Sequence, residues 1–320
     1  IAAGVALKIL LRLGLDYKNA PLWRMKAGMG DTIFAPLYKV LQRRGVQFRF
    51  FHKVHRLRSA GLGIDAIELV ARPYDGTVLT TVKGLPCWPE EPASEPLTAR
   101  PLTLRRGTDY DQVVLGIPVP ALPQLVQDLV RHRPAWRRLV QGIPHTATQN
   151  LQLWVEEDLD ELGWTEGSTV MTGFSPELDS WASMSELLPM ESFPPTVKGL
   201  HYFCACLPEG RTEDQTRELQ QRWLAERLPS LWPDWSGGVF SRYERNNTHG
   251  SERYMQSFEG TIRYRLAPGD SRFEGLVLAG DWTLTSLNAG SAEAAVQSGM
   301  LAAQALGAQL HIVDPPPQRD

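Results

Sequence analysis

A chain of 320 residues has room for about two domains, and its 42% apolar and 22% charged residues exclude the low-hydrophobicity composition of disordered proteins. With 33 Lys and Arg against 36 Asp and Glu, the net charge of −3 argues against a nucleic-acid partner, which calls for a strongly basic face. Three cysteines, Cys87, Cys204 and Cys206, make no disulfide framework, so a reducing, cytoplasmic location is expected.

Residues 1–13 read as a helix ending at Gly14, carrying Lys8 and Arg12. No stretch reaches the roughly 18 apolar residues needed to span a bilayer. The chain opens on Ile1 rather than Met, inside this helix, and the expectation is a piece of a longer protein. Lys26-Ala27-Gly28-Met29-Gly30-Asp31 is a glycine turn into a helix whose Ile33, Phe34, Leu37, Val40 and Leu41 share one face, with Gly45 as its stop. Val46, Phe48 and Phe50 then alternate like a half-buried strand, with Val54 beyond it. Turns at Gly61-Leu62-Gly63 and Tyr74-Asp75-Gly76 separate extended runs at 64–70 and 78–82, which together predict a β-meander. Residues 86–101 are rich in Pro and Glu and read as a surface loop, whereas the apolar run within 110–118 reads as a strand buried on both faces.

From Pro118 to Leu266 the helical patterns at 122–140 and 212–228 alternate with strand-like runs at 146–155 and 197–206. Thr212 and Gln215 form a capping box for the second helix, which Pro229 ends. Arg131, Arg133, Arg137 and Arg138 interleave with apolar residues as a solvated helix face. Cys204 and Cys206 would share a strand face as buried thiols, since no Cys/His pair elsewhere makes a metal site. Most of the 10 tryptophans fall here, including Trp154, Trp164, Trp181, Trp223, Trp232 and Trp235, as core or as the wall of an apolar ligand pocket. No acid/base pair stands out, so the catalytic residues are left open.

The segment with the clearest chemistry follows. Residues 276–279 form a fully buried strand, Gly280 lets the backbone turn, and Asp281 therefore stands at a strand's carboxyl end, where open α/β sheets bind ligands. An ionised carboxylate only accepts hydrogen bonds, so ligand hydroxyls are its natural partners. A helix starting at Gly290 as N-cap would put Glu293 at its third position and aim free N–H groups at an electron-rich group, while Ala292, Ala295, Gly299, Ala302 and Ala303 keep it thin. A purely structural reading, tight helix packing with Asp281 capping a loop, accounts for the same residues.

Ala279-Gly280-Asp281, then Gly290-Ser291-Ala292-Glu293-Ala294, Ser298-Gly299 and Ala302-Ala303, resemble the carboxyl-terminal flavin signature of the flavin-containing amine oxidase and phytoene desaturase superfamily, with Ala294 where that pattern has Gly. Gly28-Met29 before a helix, Val54 after a strand, and residues 110–118 resemble its middle segments. The resemblance implies an α/β fold of mixed α+β character: a partial, Rossmann-like FAD-binding portion (27–118 and 266–310) with an inserted substrate portion (1–26 and 119–265) and a tail, 311–320. It implies FAD held by Gly28, Met29, Val54, Gly280, Asp281, Trp282, Gly290, Ser291, Glu293 and Ala294. Asp281 would take the ribityl region, residues 291–294 the N1 and O2 side, Val54 the adenine through its backbone, and Trp282 would lie beside the isoalloxazine.

The family's opening Gly-x-Gly-x-x-Gly is missing, and Gly61-Leu62-Gly63-Ile64-Asp65-Ala66 has no glycine in third place. The expectation is a carboxyl-terminal piece of an FAD-dependent oxidoreductase, inactive in isolation, whose full form moves hydride from a C–H or C–N centre to flavin N5. Its partner would be a small, apolar or amine substrate, with peripheral membrane contact also compatible. A flavoprotein-like scaffold for a lipid or protein, and a redox-neutral flavin-dependent isomerase, are the alternatives.

Overall fold

The computed structural model describes residues 1–19, 23–74 and 76–312, so Asp75 of the second expected turn and residues 313–320 of the tail lie outside it. Helix α1 (Ala3–Leu15) precedes a π-helical turn (Gly30–Phe34) that runs into α2 (Ala35–Arg43), and Gly45 at φ +88° stops the helix. Strands β1 (His52–Ala60) and β2 (Gly63–Ala71) form a hairpin through Gly61 at φ +60°. A separate small hairpin, β3 (Thr80–Val82) and β4 (Leu85–Cys87), is followed by β5 (Arg100–Arg105) and β6 (Val113–Leu115). The short helices α3 (Leu122–Leu125), α4 (Gln127–His132) and α5 (Pro134–Gly142) lead into the long β7 (His145–Val155). Strands β8 (Val170–Thr172), β9 (Ser180–Ser183) and β10 (Gly199–Leu207) precede α6 (Glu213–Glu226) and α7 (Leu228–Leu231). The remaining elements are β11 (Ser241–Asn247), β12 (Tyr254–Met255), β13 (Leu276–Leu278) and α8 (Ala292–Ala305).

Three departures from the sequence reading have physical causes. Residues 46–50 are not a strand, because Phe48 and Phe50 close instead around Tyr38, with ring centroids 4.7 and 5.8 Å away, and Phe51 turns the chain at φ +58° before β1. The meander takes β5, not β3, as its third strand, in the order β1-β2-β5. The stretch 122–140 is three helices, since Arg133 precedes Pro134 and is driven to extended backbone, φ −135°.

Among the described residues three hydrophobic clusters form, two of them large and a third, smaller one around Trp154, Leu187, Val197 and Leu200. The first joins Leu57 and Ile64 of the hairpin to Leu122 and Leu129 of the helices and to Leu276, Leu278 and Trp282 around β13. The second lies on one face of the sheet β11-β7-β10-β9-β8, where Leu151, Leu153, Trp181 and Phe203 meet Trp223, Leu228 and Trp232 of α6 and α7. Alternation along β7 and β10 sends Thr148, Asn150, Tyr202, Cys204 and Cys206 to the opposite face. Trp181, Trp223 and Trp232 are therefore core, with Trp164 and Trp235 partly buried against them. Cys204 is half-buried and Cys206 exposed, rather than both buried. Among the described residues no helix is long and apolar enough to cross a membrane.

Candidate functional site

Strand β13 pairs in parallel with β6, matching Leu276 to Val113 and Leu278 to Leu115, and the ladder continues through Ala279 N–H to the Leu115 carbonyl at 2.9 Å. All of β13 is buried, but Val114 is 52% exposed because no layer covers that side of the two-stranded sheet, so β6 is not buried on both faces. At the strand's end Gly280 adopts φ +138°, and a Cβ there would sit 2.5 Å from Trp282 Nε1. Only glycine meets both conditions. Ser298 of α8 fixes this turn by accepting from Gly280 N–H at 3.0 Å and sharing a 2.7 Å hydroxyl contact with Thr283.

The turn places the Asp281 carboxyl in a cleft of about 350 Å³ whose other walls include Gly116, Tyr254, Gly290, Ser291 and Ala295. A Cβ on Gly290 would lie 3.0 Å from the Met255 carbonyl and 3.6 Å from Asp281 Oδ2. Glycine there keeps the space between the carboxylate and the helix start open. The N-cap of α8 is Ser291, one residue later than expected, with its hydroxyl accepting from Ala294 N–H at 3.2 Å. Glu293 thus stands second in the helix and does not reach back; it pairs with Arg12 of α1 at 3.0 Å. The amides of Ala292 and Glu293 are of the kind a helix leaves without an intrahelical partner, and the positive end of its dipole adds to them.

Burial pushes the Asp281 carboxyl above the ordinary carboxylate range, while the Arg265 guanidinium and the N–H groups of Asp281 and Trp282 pull it back. Arg265 is 2% exposed, and burial holds its guanidinium down to about 10, with Asp281 acting against that shift. It donates to the carbonyls of Asp281 at 2.6 Å and Thr283 at 3.0 Å, and to Ser257 Oγ at 3.0 Å. Sequence reading missed Arg265, since a lone arginine outside any motif gives no signal of its burial.

Trp282 is 2% exposed and packs in the first core, and its Nε1 is buried with no hydrogen-bond partner. Gly280, Asp281, Trp282, Gly290 and Ser291 thus share one cleft, with Glu293 and Ala294 in the helix turn beside it. Gly28 and Met29 belong to another neighbourhood, where Trp88 Nε1 donates to the Gly30 carbonyl at 3.0 Å. Val54 lies on the outer strand β1, half-buried against the first core. Neither place lines the Asp281 cleft.

A second cavity, of about 670 Å³, adjoins this cleft, since Tyr254, Gly290 and Ser291 line both. One wall is the polar sheet face, with Thr148, Asn150, Tyr202 and Asp179; the other is apolar, with Ile9, Met255 and Phe258.

A glycine turn, a strand-end carboxylate and a capped helix start meet in one cleft, and the sequence profile of the flavin-containing amine oxidoreductases matches residues 7–307. The chain belongs to that family. An oxidoreductase from Methanosarcina mazei superposes with a TM-score of 0.54 at 14% identity, over 84% of this chain and 52% of that one. Cyclohexylamine oxidase from Brevibacterium oxydans gives 0.45 at 13% identity, over 79% and 47%. The chain therefore spans about half the length of these structures, and the first of them carries the same mixed α/β fold. No curated protein sequence matches it. Membership makes this a flavin-containing oxidoreductase family chain, and the cleft residues suit a flavin: two glycine cradles, an acceptor at Asp281 and an unpartnered donor at Trp282.

Proposed function

We propose that the chain carries part of the FAD site and the substrate cavity of an oxidoreductase that removes hydride from a C–H or C–N centre. The observation that carries this reading is the junction at Gly290 and Ser291, where the Asp281 cleft opens onto the larger cavity. Asp281 would accept from ribityl hydroxyls, and the amides at the start of α8 would face the N1 and O2 edge. When bound, the flavin supplies the hydride acceptor at N5; the chain holds it, orients it and keeps the substrate beside it. A positive helix end at that edge favours the charge of the reduced cofactor. Gly28, Met29 and Val54, remote from the cleft, would serve the adenosine side.

The cavity's two walls favour a substrate with an apolar body and one polar or cationic end, the latter near Asp179 and the hydroxyls of the sheet. Free thiols at Cys87, Cys204 and Cys206 suit a cytoplasmic setting, with or without contact at a membrane surface.

We further infer that the first strand and its glycine-rich loop are supplied from outside these 320 residues, because this sequence has no Gly-x-Gly-x-x-Gly and, among the described residues, β13 pairs with β6 alone. The test compares visible absorbance and FAD titration for the 320-residue chain and for a version extended upstream in its gene. The extended form is expected to purify with flavin and the short one without. Stoichiometric FAD on the short chain would overturn the division of the site, and no flavin on either would overturn the cofactor reading.

A further inference from the structure

The loop from Asp281 to Asn288 is held by side-chain hydrogen bonds along its length, and Arg265 is its anchor. Thr285 and Asn288 bind one another reciprocally, Asn288 Oδ1 accepting from Thr285 N–H at 3.2 Å and Thr285 Oγ1 from Asn288 N–H at 3.1 Å. Gln297 of α8 grips Ser286 by accepting from its N–H at 2.7 Å and donating to its hydroxyl at 3.0 Å. Arg265 joins the two ends: one nitrogen of its fork takes the carbonyls of Asp281 and Thr283, and the other takes Ser257 Oγ, which in turn donates to the Asn288 carbonyl. Next to it, Leu284 N–H reaches the Leu266 carbonyl at 2.8 Å.

A buried guanidinium is costly unless its charge is used, and this one finds backbone carbonyls and a hydroxyl rather than a carboxylate in direct contact. The negative group that acts on it is the carboxyl of Asp281, whose carbonyl it binds and which is half-buried in the cleft. We propose that Arg265 is a positioning residue of this site, its fork setting the course of the 281–288 loop and its charge keeping the Asp281 carboxylate ionised as an acceptor for a ligand hydroxyl. The role rests on the cofactor reading for the ligand's identity alone.

Other titratable groups near Asp281 do not supply that charge. Tyr254, in the same cleft, brings a hydroxyl rather than a cation, and Glu293 on the first turn of α8 is a carboxylate already met by Arg12. Lysine keeps the cation but loses the planar fork, whereas glutamine keeps hydrogen-bonding capacity and loses the charge. The two substitutions therefore separate the two halves of the role.

The experiment follows the Asp281 carboxyl by carbon-13 NMR in the flavin-free 320-residue chain, assigned with D281N, together with amide exchange across 282–288. R265Q is expected to raise the Asp281 titration midpoint by about one pH unit, a tenfold gain in proton affinity. R265K is expected to leave that midpoint near the wild-type value while the loop amides exchange roughly tenfold faster. An unchanged midpoint in R265Q, or unchanged loop exchange in R265K, overturns the proposal. Should R265Q fail to fold, loop exchange and the retained midpoint in R265K decide it. Neither readout needs flavin, so an upstream-extended form that also fails to bind flavin would overturn the cofactor reading and leave the Arg265 assignment standing.

Discussion

Asp281 and Trp282 are adjacent in sequence and opposite in situation. The carboxyl faces the cleft, and on the proposed reading, in which it accepts from a flavin hydroxyl, its removal deletes one charge-assisted hydrogen bond worth about 1.5 to 3 kcal/mol. Asp281→Ala in a flavin-binding form of the protein is thus expected to weaken FAD by roughly 10-fold to 150-fold in a fluorescence-quenching titration. Trp282 turns back into the core, so its substitution reads out first in stability. Its N–H has no partner, unlike that of Trp136, which donates to the Ser271 carbonyl at 2.7 Å in the same core. Trp136→Phe therefore strands an acceptor that Trp282→Phe does not. Urea unfolding of the flavin-free chain is expected to show the larger loss for Trp136→Phe, by about 1 kcal/mol. The reverse order would mean that the Trp282 N–H is satisfied. Sequence alone put Asp281 after a glycine at the end of a buried strand, and that is where the structure has it. It could not show the ring of Trp282 folding back, which depends on Gly280 at φ +138°.

The helices were legible where their ends carry chemistry and illegible where backbone strain decides. Thr212 caps α6 as the sequence indicates, with the reciprocal Gln215 contact present. For α8, Gly290 and Ser291 are both acceptable caps, and the structure selects the residue with a hydroxyl to offer. Thr212→Ala and Ser291→Ala are each expected to cost about 1 kcal/mol in denaturant unfolding, and only the second should also weaken flavin binding. Equal flavin affinity for Ser291→Ala and wild type would remove the start of α8 from the site. The strand expected at 46–50 failed because alternation does not distinguish a pleated strand from an aromatic cluster. The packing of Tyr38, Phe48, Phe50 and Trp88 claims the same spacing.

Across the whole molecule, one sheet divides two environments. His201 lies on the dry side, fully buried, its ring 4.5 Å from that of Trp232, and burial lowers its ionisation to about 3 from the usual 6.5. Its folded-state value is depressed, so the unfolded chain takes up a proton that the folded one refuses. Stability is full above about pH 6.5 and is lost as pH falls towards 3, by about 2 kcal/mol at pH 5. Urea midpoints at pH 7 and pH 5 measure this loss, and His201→Leu should flatten the difference. The wet side of the same sheet exposes Cys206, with Cys204 next to it along the cavity wall. Indole emission from Trp181, Trp223 and Trp232 comes from one face, while a thiol-coupled dye on Cys206 would sit on the other. The protein is in this sense a two-channel instrument: the emission of its buried indoles follows the integrity of the core, and a label on one cysteine follows what enters the cavity.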